Sequence, residues 1–257
     1  MNISKKNEGS HLFSKILASV GIGSAKVDAV LTTECLMPGG FLEGEIRATG
    51  GNVEQEIKGI ELEVKTRVKY ETEEEEIAWQ NKRLQAFYVA DAFTLQPKES
   101  RVIPFSFQLG SETPITTLGG ESRVWLSTEL DIDMAIDPSD KDYLAVQPTP
   151  VIQHFIDCLN NNGFEIAKTD VEKGYLNGDG FSSESGCYQE IEFRPSGFGL
   201  FSSLQEIEAS FITDHEETHA LIELDRRFRG DGYLSLTVPN DASYEYIEAM
   251  MKELVGV

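Results

Sequence analysis

The stretch GIELEVKTRVKY, residues 59–70, alternates apolar and charged side chains without a break. Ile60, Leu62, Val64, Thr66, Val68 and Tyr70 point one way, and Glu61, Glu63, Lys65, Arg67 and Lys69 the other. A period of two is that of a β-strand with one face on a core; a 3.6-residue helical repeat would scatter these positions around the axis. The pattern recurs. AKVDAVL places Val27, Ala29 and Leu31 on one face, and SRVWLSTELDIDM turns Val124, Leu126, Thr128, Leu130, Ile132 and Met134 inward. LQAFYVADAFTL and SRVIPFSFQL read as further strands joined by the turn QPKE. LMPGGFLEGEI starts from a Pro-Gly turn, with Gly44 a candidate bulge or twist point. Many strands, turn signals between them and few helices argue for antiparallel sandwiches.

The prolines and acidic turn residues of DPSDKDYLAVQPTP make the best domain boundary. Its aspartates lack the central Gly and terminal Glu of an EF-hand loop, so a solvated linker is expected. That boundary divides the chain into two strand-rich parts, one up to residue 146 and one over 147–257 with flanking helices. Thr149 and Pro150 are placed to cap and start a helix whose stripe is Val151, Ile152, Phe155, Ile156 and Leu159, ended by Asn162-Gly163. His154 lies off that stripe and reads as a surface residue. FEIAKTDV, CYQEIEFRP, LQEIEASFIT, HALIELDRRF and YLSLTVP return to strand patterns. Ile247, Met250, Met251 and Leu254 predict a last helix over about 243–255, with Ser243 as its cap. Near the N-terminus, Leu12, Phe13, Ile16, Leu17 and Val20 follow helical spacing; Lys15 interrupts what would otherwise imitate a signal peptide.

The 257 residues, 40% hydrophobic and 26% charged, have an ordinary soluble composition that needs no staples to fold. The net charge of −22 repels phosphate backbones and anionic lipid, so neither nucleic acid nor membrane is an expected partner. Proteins with basic surfaces are the natural electrostatic partners. Cys35, Cys158 and Cys187 are odd in number and widely spaced, which fits reduced thiols in a cytoplasmic protein.

HEETH, residues 215–219, fits the H-E-x-x-H pattern in which two histidines hold zinc and the glutamate activates its water. That chemistry needs a helix to bring His215 and His219 onto one face. The flanks alternate as strands, so DHEE reads as a hairpin tip, and histidines four apart along a strand lie ~13 Å apart. ETEEEE, residues 71–76, reads as an exposed hairpin loop that offers a second reading as a docking site for a basic partner. Arg226, Arg227 and Arg229 form the main basic cluster of the second half and are expected to pair with nearby carboxylates. G-x-S-x-G, Walker A and dinucleotide fingerprints are all absent. No catalytic, cofactor or metal residue is therefore assigned.

LFSKILASVGIGSAKVD followed by LMPGGFLEGEIRATGGNVEQEIKGIELEV resembles the opening of the sporulation-control protein family, the stage-zero M-type proteins. IPFSFQLGSETPIT, WLSTELDIDMAIDPSDKDYL and ELDRRFRG are similar to the same family, so the likeness runs from about residue 12 to the C-terminal region. The resemblance implies two arrestin-like β-sandwich domains in tandem, over 12–146 and over 147–257 with flanking helices, after an N-terminal extension over 1–11, and a cytoplasmic regulatory or scaffold role without a catalytic centre. Two alternatives stand beside it: a zinc hydrolase using His215, Glu216 and His219, and a small-ligand module in the groove between the halves.

Overall fold

The computed structural model describes residues 25–132, 141–196, 204–226 and 232–254. The expected N-terminal helix, Met134, Arg227 and Arg229 lie outside the described residues.

In the first half, β1 (Lys26–Leu31), β2 (Phe41–Thr49) and β6 (Ser100–Gln108) form a three-stranded sheet in the order β1-β2-β6. Opposite it stand β3 (Gln55–Glu71), β4 (Ile77–Ala90), β5 (Phe93–Leu95), β7 (Val124–Ile132) and the short β8 (Asp142–Tyr143). β4, β5 and β7 all pair with β3. Leu42, Ile46 and Ala48 of β2, Ile60, Leu62 and Val64 of β3, Phe105 and Phe107 of β6, and Val124 and Leu126 of β7 fill one core. The alternation read from residues 59–70 is the reason: Ile60, Leu62, Val64, Thr66 and Val68 are all fully buried.

Three expectations change in detail. The charged face of β3 is not open to water: Glu63 is 8% exposed and held by Lys65 and Arg83. β7 is covered on both faces from Val124 to Thr128, so its alternation does not divide core from solvent. Gly44 is no bulge, since it sits in unbroken register with Leu31 and Phe105. A Cβ there would lie 2.5 Å from the Val30 carbonyl and 2.6 Å from the Phe105 ring, so the glycine permits close packing of ring and strand.

The second half has α1 (Pro150–Asn161), β9 (Phe164–Lys173), β10 (Asn177–Gly178), β11 (Phe181–Ser182), β12 (Cys187–Pro195), β13 (Leu204–Thr213), β14 (Glu217–Arg226), β15 (Gly232–Pro239) and α2 (Tyr244–Leu254). Its strands run in the order β15-β14-β13-β12-β9. Thr149 caps α1 by accepting from the Ile152 N–H, and the predicted apolar stripe is buried with Cys158 added. Ser243 accepts from the Tyr246 N–H at the start of α2, where Ile247 and Met251 are buried. Both helices join the core under the sheet face formed by Ile191, Phe193, Ile207, Ala209, Ala220, Ile222, Leu236 and Val238. His154 is not a bare surface group, since its Nδ1 meets the Ala242 carbonyl at 3.1 Å and its ring meets Tyr244 edge-on.

Among the described residues the halves are joined along β3, where Val68 also packs on Val171 and Cys187, and along the 111–123 segment. β3 pairs in parallel with β9 where Lys69 faces Glu172, which continues the sheet from one half into the other. The 111–123 segment lies against the second half. There Glu112 accepts from the N–H groups of Glu184 and Ser185, and the Gln189 amide bonds both the N–H and the carbonyl of Ile115. The chain is mainly β, with two short helices among the described residues.

Candidate functional site

HEETH is a hairpin tip. β13 and β14 pair from Leu204↔Arg226 to Thr213↔Thr218, and the turn closes on Asp214, whose Oδ1 accepts from the N–H groups of Glu216 and Glu217. Those two bonds hold the Asp214 carboxyl below its ordinary range, with His219 adding to them. His219 belongs to β14 and His215 to the turn, so no helix presents the two imidazoles together. His219 has other work. Its ring stacks on Phe181 with centroids 4.8 Å apart, its Nδ1 meets Thr237 Oγ1 at 2.9 Å and its Nε2 meets Asp214 Oδ2 at 3.3 Å. These contacts fix the β10–β11 hairpin against β14 and β15.

That hairpin stands on the sheet face opposite the helices. Alternation decides what this face carries. Where Ile191, Ile207 and Ile222 point into the core, their neighbours Glu190, Glu192, Glu206, Glu208 and Glu223 point out. Register aligns the carboxylates: Glu190 faces Asp170, Glu192 faces Glu208, and Glu208 faces Glu223. Like charges directly opposite destabilise a sheet, so this concentration runs against stability.

At one end of the face the charges are compensated. Lys69 reaches Glu172 at 2.5 Å and Asp170 at 3.2 Å, and Lys168 reaches Asp170 at 2.5 Å. Burial works against the Lys69 charge, but bonds to Glu172 and Asp170 outweigh it and hold the ammonium above the ordinary lysine value. Arg194 bonds Glu192 and Glu206. Glu190 and Glu208 have no such cation among the described residues. Burial, then the neighbouring Glu208, Glu172 and Asp170, push Glu190 up to about 7. Burial, then Glu223 and Glu206, push Glu208 up to about 7 as well. Burial and the same acids push Tyr188, which is hydrogen-bonded to Glu190, up to about 12.

These two glutamates line a groove of about 270 Å³ with Tyr175, Leu176, Asn177, Tyr188, Ser210, Leu221, Glu223 and Tyr233. Tyr175 and Tyr233 are each 64% exposed and form its open walls. Sequence reasoning missed this site. The signal was present in CYQEIEF, LQEIEAS and ALIELD, where three strands carry outward acids at alternate positions; what their mutual register would bring together was not legible.

The carboxylates form two triads in which ligand oxygens lie within 4.8 Å of one another: Asp170, Glu172 and Glu190, and Glu192, Glu206 and Glu208. Oxygen-rich triads suit hard cations, but Lys69 and Lys168 bond the first and Arg194 the second. ETEEEE is an exposed turn between β3 and β4, closed by a Glu75 N–H bond to the Thr72 carbonyl. Arg226 ends β14. Cys35 is exposed, and Cys158 and Cys187 are buried free thiols. A second groove, about 420 Å³, lies between the halves and is lined by Pro38, Gly39, Gln108, Leu109, Ser111, Thr213, Asp214 and His215. No helix among the described residues is long and apolar enough to cross a membrane.

Comparison with known proteins bears on the whole chain. Residues 13–228 match the family described as SpoOM protein. The chain is 35% identical over 221 residues to the sporulation-control protein spo0M of Bacillus subtilis strain 168, covering 85% of this chain and 82% of that protein. The crystal structure of Spo0M from Bacillus subtilis superposes with a TM-score of 0.79 at 29% identity, covering 91% of this chain and 99% of that one. The mainly β fold expected from alternation is thus shared along the length of a solved relative. The chain belongs to the SpoOM sporulation-control protein family.

Proposed function

We propose that this chain is a non-enzymatic, arrestin-like regulatory protein that works as a scaffold through protein–protein contacts in the cytoplasm. The observation that carries the reading is the outer face of the second sheet, which the described residues leave open. Its surface is spent on mutually repelling carboxylates and exposed tyrosines at a cost to stability, as expected where a partner is to bind. Membership of a sporulation-control family supports a regulatory role. Two tandem units, 12–146 and 147–257, suit a scaffold that offers separate faces to its partners. The histidine string supports no zinc hydrolase, because the β13–β14 hairpin denies it the helix that zinc ligation at this spacing needs.

Affinity purification of the tagged chain from its native cell, quantified by mass spectrometry against an untagged control, tests the reading. A small set of proteins enriched in every replicate is the expected result. A chain that returns no reproducible partner, or that purifies with stoichiometric zinc and peptidase activity, overturns it.

A further inference from the structure

We infer that the tyrosine-walled groove on the outer face of the second sheet docks an arginine- or lysine-bearing segment of a partner protein, with one cationic side chain seated between Tyr175, Tyr233 and the carboxylates of Glu190 and Glu208. The inference rests on the protein-contact reading above and adds the place and the chemistry of the contact.

Three observations select this occupant. Among the described residues the face is open: α1 and α2 cover the opposite side of the sheet, and on this side the β10–β11 hairpin stands as one wall. The groove combines tyrosine faces with carboxylates, the pairing that recognises organic cations, because a ring face attracts positive charge and a half-buried carboxylate is poorly screened. An anion is repelled here, and a neutral apolar segment would bury the carboxylates without a partner. The charge is also unequally answered. Lysine and arginine side chains of the chain itself serve Asp170, Glu172, Glu192 and Glu206. Among the described residues no lysine or arginine bonds Glu190 or Glu208, and burial with the neighbouring acids pushes both up to about 7. A cation from a partner supplies what these two lack. The guanidinium is the better fit, since its planar fork bonds two carboxylates while its face stacks on a tyrosine. A mobile inorganic ion fits less well, because the groove's open walls are aromatic rings rather than the further oxygen ligands such an ion needs.

The test is fluorescence anisotropy with a labelled peptide alternating Arg and Gly, at physiological ionic strength, on the full chain. A chain this acidic attracts any basic peptide weakly, so the variants carry the result. Saturable binding of one peptide per chain is expected. Glu190→Gln with Glu208→Gln weakens it by about tenfold, and Tyr175→Leu with Tyr233→Leu, which changes no charge, by at least about threefold. Removing the same number of charges from the exposed turn, by Glu73→Gln with Glu74→Gln, changes it by less than about twofold. Circular dichroism confirms that each variant is folded.

Equal loss in the turn variant and the groove variant means diffuse attraction and overturns the inference. So does wild-type affinity in the tyrosine variant, or stoichiometric calcium binding in place of peptide binding. A cellular partner that binds the groove variants as tightly as the wild type also overturns this site, while the contact-based function stands. The absence of any cellular partner fails that function instead.

Discussion

Glu190 and Glu208 show how a single titratable group reports its surroundings. Their ordinary value of 4.5 is raised to about 7 by burial first and then by neighbouring carboxylates. Below about pH 4.5 both folded and unfolded chains hold these protons; between there and about pH 7 only the folded chain does. Their contribution to stability is therefore largest in acid and is lost as pH rises through about 7. Water reaches part of both groups and screens the repulsion, so on the order of 1 kcal/mol for the pair is a fair expectation rather than the full shift. Glu190→Gln with Glu208→Gln raises the denaturation midpoint at pH 8 and leaves it nearly unchanged at pH 4.5, measured by urea titration at both values. Equal effects at both pH values contradict the assignment. Glu206 adds from within the same strand to the repulsion on Glu208, but the larger repulsion on each residue arises across strands, from Glu223 on Glu208 and from Glu208 on Glu190.

Elements were legible where one periodicity ruled. The strand at 59–70, the α1 stripe and the HEETH hairpin all follow from the spacing of apolar residues, since each has one face on a core. Legibility failed where both faces are covered. In β7, Trp125 and Ser127 are as buried as Val124 and Leu126, so alternation no longer separates inside from outside. At Gly44, a missing side chain was visible but its reason was not: the requirement comes from Phe105, which is distant in sequence. His219 shows the same limit in the candidate site. Its motif pointed to a metal, and its actual partners, Phe181, Thr237 and Asp214, come from other elements or from the turn itself. We expect His219→Ala to lower stability by about 1 kcal/mol through the lost stack and hydrogen bonds. Hydrogen exchange of residues 177–182 will rise, and His215→Ala will change neither. Equal effects of the two substitutions, or release of bound zinc by both, contradict this role.

At the scale of the whole molecule the connection between halves matters most. Two cores sit on either side of it, one built from β2, β3, β6 and β7, the other from the second sheet with α1 and α2. Gln189 ties them: its side chain bonds the Ile115 N–H at 2.8 Å, the Ile115 carbonyl at 2.7 Å and Ser122 Oγ at 2.9 Å. Gln189→Leu leaves these groups of the 111–123 segment unpaired. About 2 kcal/mol of stability is the expected loss, with faster hydrogen exchange in 111–123 than in either core. Uniform acceleration across the chain contradicts a local tie. Such long-range joints were hidden in the sequence, as was the parallel pairing of β3 with β9, because neither leaves a periodic trace. The resemblance to a known family carried the arrangement of the whole that spacing alone did not.

The central claim, that this regulatory chain acts by docking a partner on the outer face of its second sheet, is tested most directly by photocrosslinking in the native cell. Benzoylphenylalanine placed at Tyr175 and at Tyr233, and for comparison at the exposed Val102 on the three-stranded sheet, samples the two faces with similar accessibility. The account requires the same protein to be captured from both tyrosine positions and not from position 102. Capture from position 102 with none from 175 or 233 contradicts it.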